Sequence, residues 1–353
     1  MRAGRPSASA AVALGRGMAA VLSLALRPAP PASAAGFDDL DRLVPLLVNA
    51  GAAGLAWRTI KDTPARSHPA VAPLRELFEW QLLRSRIADT ELATLAQKAG
   101  DAGVEPLLGK GWAVARLYPE IGLRTFGDFD IYLDPADHQR LVQVLKAWTG
   151  PRTYDVDVHR GASYLDDRPL GLLRARSALV PVGLTGIRVL SPEDLLRLGC
   201  LHLLAEGAIR AVWLCDIAVM LQQAGPAFDW DYFMSGDPLR TEWACAAIGL
   251  AHHLLDVDVS AAPRHRLTAS PPAWLVRSVL GTWGAGIRSK GNRNPFSASG
   301  TSGMGVLRSL VERWPRPVEA TIGVRGRMNA APRWPYQIAE AMRRTVGFLR
   351  GRP

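Results

Sequence analysis

The feature that most constrains the fold is a change of hydrophobic period partway along the chain. From Phe37 to about Gly100, apolar residues recur at intervals of three and four, as at Leu40, Leu43, Leu46 and Leu47. The theme resumes at Leu74, Leu77, Trp80, Leu82 and Leu83 after a break at Pro64, Pro69 and Pro73. That is the period of helices burying one face. Between Val104 and Leu190 the pattern becomes a series of short apolar runs bounded by Gly, Pro and Asp, at 104–108, 128–133, 154–159, 178–182 and 187–190. Such runs predict strands. Ser191-Pro192-Glu193-Asp194 then supplies an N-cap, a proline at the first helical position and two acids in the first turn, which starts a helix. Helical patterning continues through Leu221, from about Leu239 to Leu255, and from Trp274 to Trp283. The expected class is therefore α+β, a mixed α/β middle part with helical regions on both sides.

The same pattern divides the chain into five stretches. Residues 1–36 form a flexible N-terminal segment with a first helix inside it, 37–100 a helical region, 101–190 an α/β core and 191–288 a second helical region. Residues 289–353 form a Gly/Ser loop (290–305) and an Arg-rich tail from Arg308 that ends in an amphipathic helix at 338–349. With 353 residues the core is ample, and ordinary globular composition excludes disordered, collagen-like and small disulfide classes. The net charge is +10, yet only Lys61, Lys98, Lys110, Lys146 and Lys290 are lysines; the other basic residues are arginines spread along the whole length. Such a surface suits phosphate-bearing small molecules, nucleic acid and anionic membrane alike, and no basic arm stands out. Cys200, Cys215 and Cys245 have no C-x-x-C spacing and read as free thiols of a reducing compartment.

The longest apolar stretch, Met18 to Leu26, falls short of the eighteen or so residues of a bilayer span, so no transmembrane helix is expected. Arg2, Arg5 and Arg16 before it, and Ala-Ser-Ala at 32–34 after it, raise a secretory signal as one reading. Arg27 followed by Pro28, Pro30 and Pro31 favours the other, a first core helix, and with it a cytoplasmic location.

Five Asp-x-Asp pairs occur, at 39/41, 128/130, 155/157, 229/231 and 256/258, where Asp frequency alone predicts about one, so only context promotes any of them. Asp39/Asp41 and Asp229/Asp231 sit at helix starts, where acids complement the dipole, and Asp256/Asp258 ends a helix in a polar loop. The remaining two lie on apolar alternations, Asp-Phe-Asp-Ile-Tyr-Leu and Tyr-Asp-Val-Asp-Val-His. On a strand, residues two apart share a face, so neighbouring strands would present carboxylates to one cation. Upstream, Gly109-Lys110-Gly111 lies in a strand–turn–helix pattern, where backbone N–H groups and the Lys110 charge favour phosphate. It is not a Walker A loop. Arg124 either holds a phosphate or pairs with Asp128. His159 either orients a carboxylate or bonds to backbone. His202 reads as a core residue, Asp216 as the buried partner of an arginine such as Arg210, and Trp112 as the one tryptophan placed to stack on a base or sugar. No zinc spacing and no G-x-S-x-G elbow occurs.

Taken together, Leu107-Leu108-Gly109-Lys110-Gly111, Tyr118-Pro119, Gly122, Arg124, Asp128-Phe129-Asp130-Ile131 and the run 155–159 resemble a nucleotidyltransferase family of the polymerase-beta-type superfamily. Ser191-Pro192-Glu193-Asp194-Leu195-Leu196, His202 and the run 213–218 are similar to that family's following helices, and 51–61 to its N-terminal segment, so the resemblance spans roughly 18–260. It implies a nucleotidyltransferase-like core, a small mixed β-sheet packed with helices, in which Asp128 and Asp130, with Asp157 as third carboxylate and Asp155 in reserve, bind Mg²⁺. Gly109, Lys110, Gly111 and Arg124 would bind the nucleotide. The implied reaction is two-metal transfer of a nucleoside monophosphate from a nucleoside triphosphate such as ATP to an acceptor hydroxyl or phosphate on a small molecule, sugar or peptide. Better-characterised members carry Gly-Ser where this chain has Lys110-Gly111, which leaves the mode of phosphate binding open. Two other readings stand beside it: a nucleotide-binding regulator or scaffold that does not catalyse, and a nucleic-acid-binding protein, for which no motif is present.

Overall fold

A computed structural model of the chain describes residues 6–30, 39–161, 166–260, 262, 270–287 and 314–350. The cleavage-like triplet at 32–34 and the Gly/Ser stretch at 290–305 lie outside the described residues. The five apolar runs pair into one sheet: β1 (Leu107–Gly109), β2 (Asp128–Leu133), β3 (Asp155–Arg160), β4 (Ala178–Val182) and β5 (Thr185–Val189), in the order β3-β2-β1-β5-β4. β2 runs parallel to β3 and antiparallel to β1, while β5 is parallel to β1 and antiparallel to β4. The sheet is mixed, as the family resemblance implies.

Fourteen helices surround it among the described residues. On the N-terminal side are α1 (Ala8–Ala25), α2 (Leu40–Asn49), α3 (Ala53–Ile60) and α4 (Ala72–Asp101). Within the core are α5 (Gly111–Ala115), α6 (Pro135–Ala147) and α7 (Leu170–Arg176). Beyond the sheet come α8 (Pro192–Ala205), α9 (Ala211–Gln222), α10 (Trp230–Met234), α11 (Pro238–Leu255), α12 (Ala273–Gly284), α13 (Pro317–Gly323) and α14 (Trp334–Leu349).

Local chemistry fixes the turns that matter for the site. Asp134 accepts from the N–H groups of Ala136 and Asp137, and Pro135 opens α6, so β2 passes into its crossover helix without a loop. Ser191 caps α8 by accepting from the Asp194 N–H. β2 is covered on both faces, since Phe129, Ile131 and Leu133 on one side and Asp130 and Tyr132 on the other are all buried. Phe129 packs on Tyr154 with ring centroids 5.2 Å apart, and Phe126 stacks on the same ring at 5.1 Å. A buried ionic network ties the segment after β3 to the C-terminal helices. Asp166 accepts from Arg197, and Asp194 accepts from Arg168 and from the Tyr232 hydroxyl.

The first helix departs from expectation. It begins at Ala8, ten residues before Met18, and at 18 residues it is long and apolar enough to cross a bilayer by length and composition. Alanine and glycine conceal the helical period there. Its buried stripe (Ala11, Gly15, Met18, Ala19, Leu22, Ala25) is packed inside the protein. A side chain at Gly15 would collide with the Leu280 carbonyl of α12, and one at Gly284 with the Ala11 carbonyl, so the two helices touch backbone to backbone. At its C-terminal end the buried Arg58 guanidinium of α3 donates to the carbonyls of Ala25, Arg27 and Pro28 and pairs with Glu120 at 2.9 Å. A cation on the last carbonyls suits the helix dipole.

Candidate active site

The parallel register of β2 and β3 sets Asp128 beside Asp155, Asp130 beside Asp157 and Tyr132 beside His159. Alternation puts all six on one face of the sheet. His159 Nε2 lies 3.0 Å from Asp130 Oδ1 and 3.4 Å from Asp157 Oδ2, and its ring stacks on Tyr132 at 5.1 Å. One donor atom each from Asp130, Asp157 and His159 fits within 4.8 Å. Asp128 stands two residues before Asp130 at the mouth of the same cavity, whereas Asp155 faces a different cleft.

The Gly109-Lys110-Gly111 turn leads out of β1 directly against this face. Lys110 adopts φ 48°, in the left-handed region that side chains avoid, and its ammonium reaches Asp130 Oδ1 at 2.6 Å. A strained backbone at such a position is a device for aiming a side chain. The helix that follows spans five residues, so the turn's contribution is the Lys110 charge.

Arg124 takes Asp216, not Asp128, as its ion-pair partner. Its Nε and Nη2 donate to Asp216 on α9 at 3.1 and 2.8 Å, and Tyr118 donates to the same carboxylate at 2.8 Å. Asp216 is thus matched by Arg124, 92 residues away, and not by Arg210. A buried carboxylate takes the arginine that reaches it bidentately. Burial works against the Arg124 charge, but Asp216 outweighs it and holds the guanidinium above its usual range. Trp112 is also structural: its indole N–H donates to Asp89 of α4 at 2.7 Å, and the residue is outside the cavity lining.

The cavity holds about 400 Å³ between this face and the helices α8 and α9. Opposite the carboxylates stand His202 and Glu206 from α8, and Arg210 and Trp213 at the start of α9. His202 packs edge-on against Trp213 at 4.7 Å, and burial, aided by the Lys110 charge, lowers it to about 3, so it is neutral at physiological pH. Burial raises the Glu206 carboxyl. Arg210 is half-buried, pairs with no described acid, and is pushed below its ordinary value by burial and by Arg124. Its guanidinium rests against Gly51, at φ 72°, in the turn between α2 and α3, where a Cβ would displace it. Thr125 donates to the Gly51 carbonyl, tying that turn to the strand side of the cavity. Sequence reasoning missed Arg210 as a site residue because it considered it only as a partner for Asp216; no local pattern marks it.

Two neighbouring acids differ in charge affinity. Asp128 is raised by partial desolvation and by the charges of Asp130 and Asp157. For Asp130, burial raises the carboxyl, but the His159 hydrogen bond and the Lys110 ammonium overcome it and hold the group below the usual range. Carboxylates crowded until one resists ionising, with oxygen donors dominating the set, fit a hard divalent cation such as Mg²⁺.

A mixed sheet whose adjacent parallel strands carry carboxylates in register, facing a cavity supplied with cations, defines a nucleotidyltransferase-like core. The family model of an uncharacterised nucleotidyltransferase matches residues 38–256, more than half of the chain, and the protein belongs to that family. No curated protein and no solved structure matches it.

Proposed function

We propose that this protein transfers a nucleoside monophosphate from a nucleoside triphosphate to a hydroxyl or phosphate of a second substrate. The observation that carries the reading is the in-register carboxylate pair, Asp130 and Asp157, with Asp128 beside it, across a cavity from the unmatched Arg210. Asp128, Asp130 and Asp157 would hold Mg²⁺, which when bound supplies Lewis-acid stabilisation of the phosphates and a more acidic acceptor hydroxyl. Lys110 and Arg210 offer positive charge to the phosphates from opposite walls, and Arg124, spent on Asp216, keeps α9 and the 124–126 segment in place. Neutral His202 and the Trp213 ring line the wall between. A nucleoside triphosphate supply agrees with a cytoplasmic protein, as do the buried thiols of Cys200 and Cys215.

A second reading, nucleotide binding without transfer, draws on one observation: the charge of Asp130 is already met by Lys110 and His159. Calorimetry with ATP, ADP and AMP in Mg²⁺, paired with a pyrophosphate-release assay, separates the two. Transfer predicts tightest binding for ATP, loss of at least tenfold in Arg210→Ala, and pyrophosphate release once an acceptor is supplied. Equal affinity for ATP and AMP would contradict the assignment of the cavity to the triphosphate.

A further inference from the structure

A second cleft, of about 780 Å³, borders the same carboxylates from outside. It lies between β3, which pairs on one side only among the described residues, and the crossover helix α6 with the loop behind it. The two cavities share Asp128 and Asp157 and no other described residue. We propose that this cleft receives the acceptor, and that the acceptor bears a phosphate or carboxylate group besides the oxygen that is modified. The proposal rests on the donor reading above and adds the class of the second substrate.

Geometry supplies the first argument. In phosphoryl-type transfer the attacking and leaving oxygens lie roughly in line, so the two substrates approach the reacting phosphorus from opposite sides. With the donor in the enclosed cavity, the acceptor has to reach the same carboxylates from beyond them, and the outer cleft begins there. The acceptor oxygen forms the new bond to the α-phosphorus, the bond to the α–β bridging oxygen breaks, pyrophosphate leaves with that electron pair, and the acceptor's proton passes to solvent. A cleft of this volume falls in the range of small-molecule sites.

Charge supplies the second. Lys146 and Arg152, exposed and paired with no described acid, line the cleft together with Asp128, Asp155 and Asp157. Between them the Trp148 ring carries Arg152 at 5.6 Å and, from α4, Lys98 at 5.7 Å from its centroid. The cleft therefore offers cations on an aromatic platform as well as carboxylates. A third observation is independent of both: the buried Nδ1 of His138 on the cleft wall has no hydrogen-bond partner. Half-buried Val142 and Leu145 add apolar wall to the same cleft. A small molecule that carries an anion besides its reactive oxygen matches that lining.

The test uses the full chain with Mg²⁺ and the non-transferable donor analogue α,β-methylene-ATP. Calorimetric titrations with glycerol 3-phosphate and with glycerate follow, on the native protein, on Lys146→Glu/Arg152→Glu and on the milder Lys146→Gln/Arg152→Gln. Saturable binding of one probe, weakened at least tenfold by either double substitution with donor-analogue affinity held within twofold, is the expected result; which probe binds identifies phosphate or carboxylate. The proposal is overturned if neither probe binds the analogue-loaded protein, if the substitutions leave probe binding unchanged, or if they weaken the analogue equally. A native protein that fails to bind the analogue instead removes the donor reading, and the acceptor cleft with it.

Discussion

Asp128 and Asp130, two residues apart on one strand, are set to opposite tasks by what surrounds them. Asp130 has His159 and Lys110 on it and stays ionised well into acid; Asp128 faces two like charges. A carboxyl whose folded-state affinity for protons is raised binds more protons folded than unfolded, so its effect on stability worsens as pH rises through its range. Asp128→Asn should therefore raise the melting temperature at pH 7 by roughly 1–2 °C while abolishing Mg²⁺-dependent nucleotide binding; a thermal scan on the metal-free variant that shows a fall would contradict this. The same shift means that nucleotide affinity in Mg²⁺ should decline on acidification earlier than an ordinary Asp would dictate, which a calorimetric series from pH 7 down to pH 4.5 reads directly. Asp216 behaves differently because its cost lies in what it leaves behind. Asp216→Ala strands the buried Arg124, and removing one member of such a pair costs about 3–5 kcal/mol, measurable by urea unfolding. His202, lowered to about 3, should show no imidazole titration by NMR between pH 5 and 8.

At the scale of elements, what was legible in the sequence is what short-range pattern controls. The runs at 128–133 and 178–182 became β2 and β4 with those bounds because short apolar runs specify them locally, and Asp134 and Pro135 fix the start of α6 in the same way. The five Asp-x-Asp pairs were sorted by context, and the two on alternating strands are the two that the register brings side by side. What was not legible depends on contacts across long separations. With arginines this numerous, no spacing tells which of them meets Asp216, and Arg124 pairs there where the sequence offered Asp128 as its partner. Trp112 looked available beside a turn, but its donor was claimed by α4. The start of α1 was hidden since Ala and Gly give little periodic contrast, and only the crossing with α12 shows why glycine stands at 15 and 284. Gly284→Leu should force those helices apart and cost at least as much as a typical overpacked core, about 1–3 kcal/mol. A melting temperature equal to the native protein's would show that the two backbones do not touch.

For the molecule as a whole, the site is assembled from three stretches that the chain keeps far apart. The sheet supplies carboxylates and Lys110, α8 and α9 supply the opposite wall, and the turn between α2 and α3 holds Arg210 through Gly51. The family match, 38–256, encloses all three, while α1 and α12, which pack on each other, lie outside it. The N-terminal helices are thus part of the functional unit through one turn, and Gly51→Val should weaken nucleotide binding without touching a carboxylate. The central claim is that the β2 and β3 carboxylates form a metal–nucleotide site. Its most direct test is calorimetric titration of ATP with and without Mg²⁺ into the native protein and into Asp128→Asn/Asp130→Asn, with circular dichroism to establish that both are folded. Binding that requires Mg²⁺ and is lost in the folded double variant is the predicted result. Binding that survives the substitution, or that is indifferent to Mg²⁺, would contradict the account.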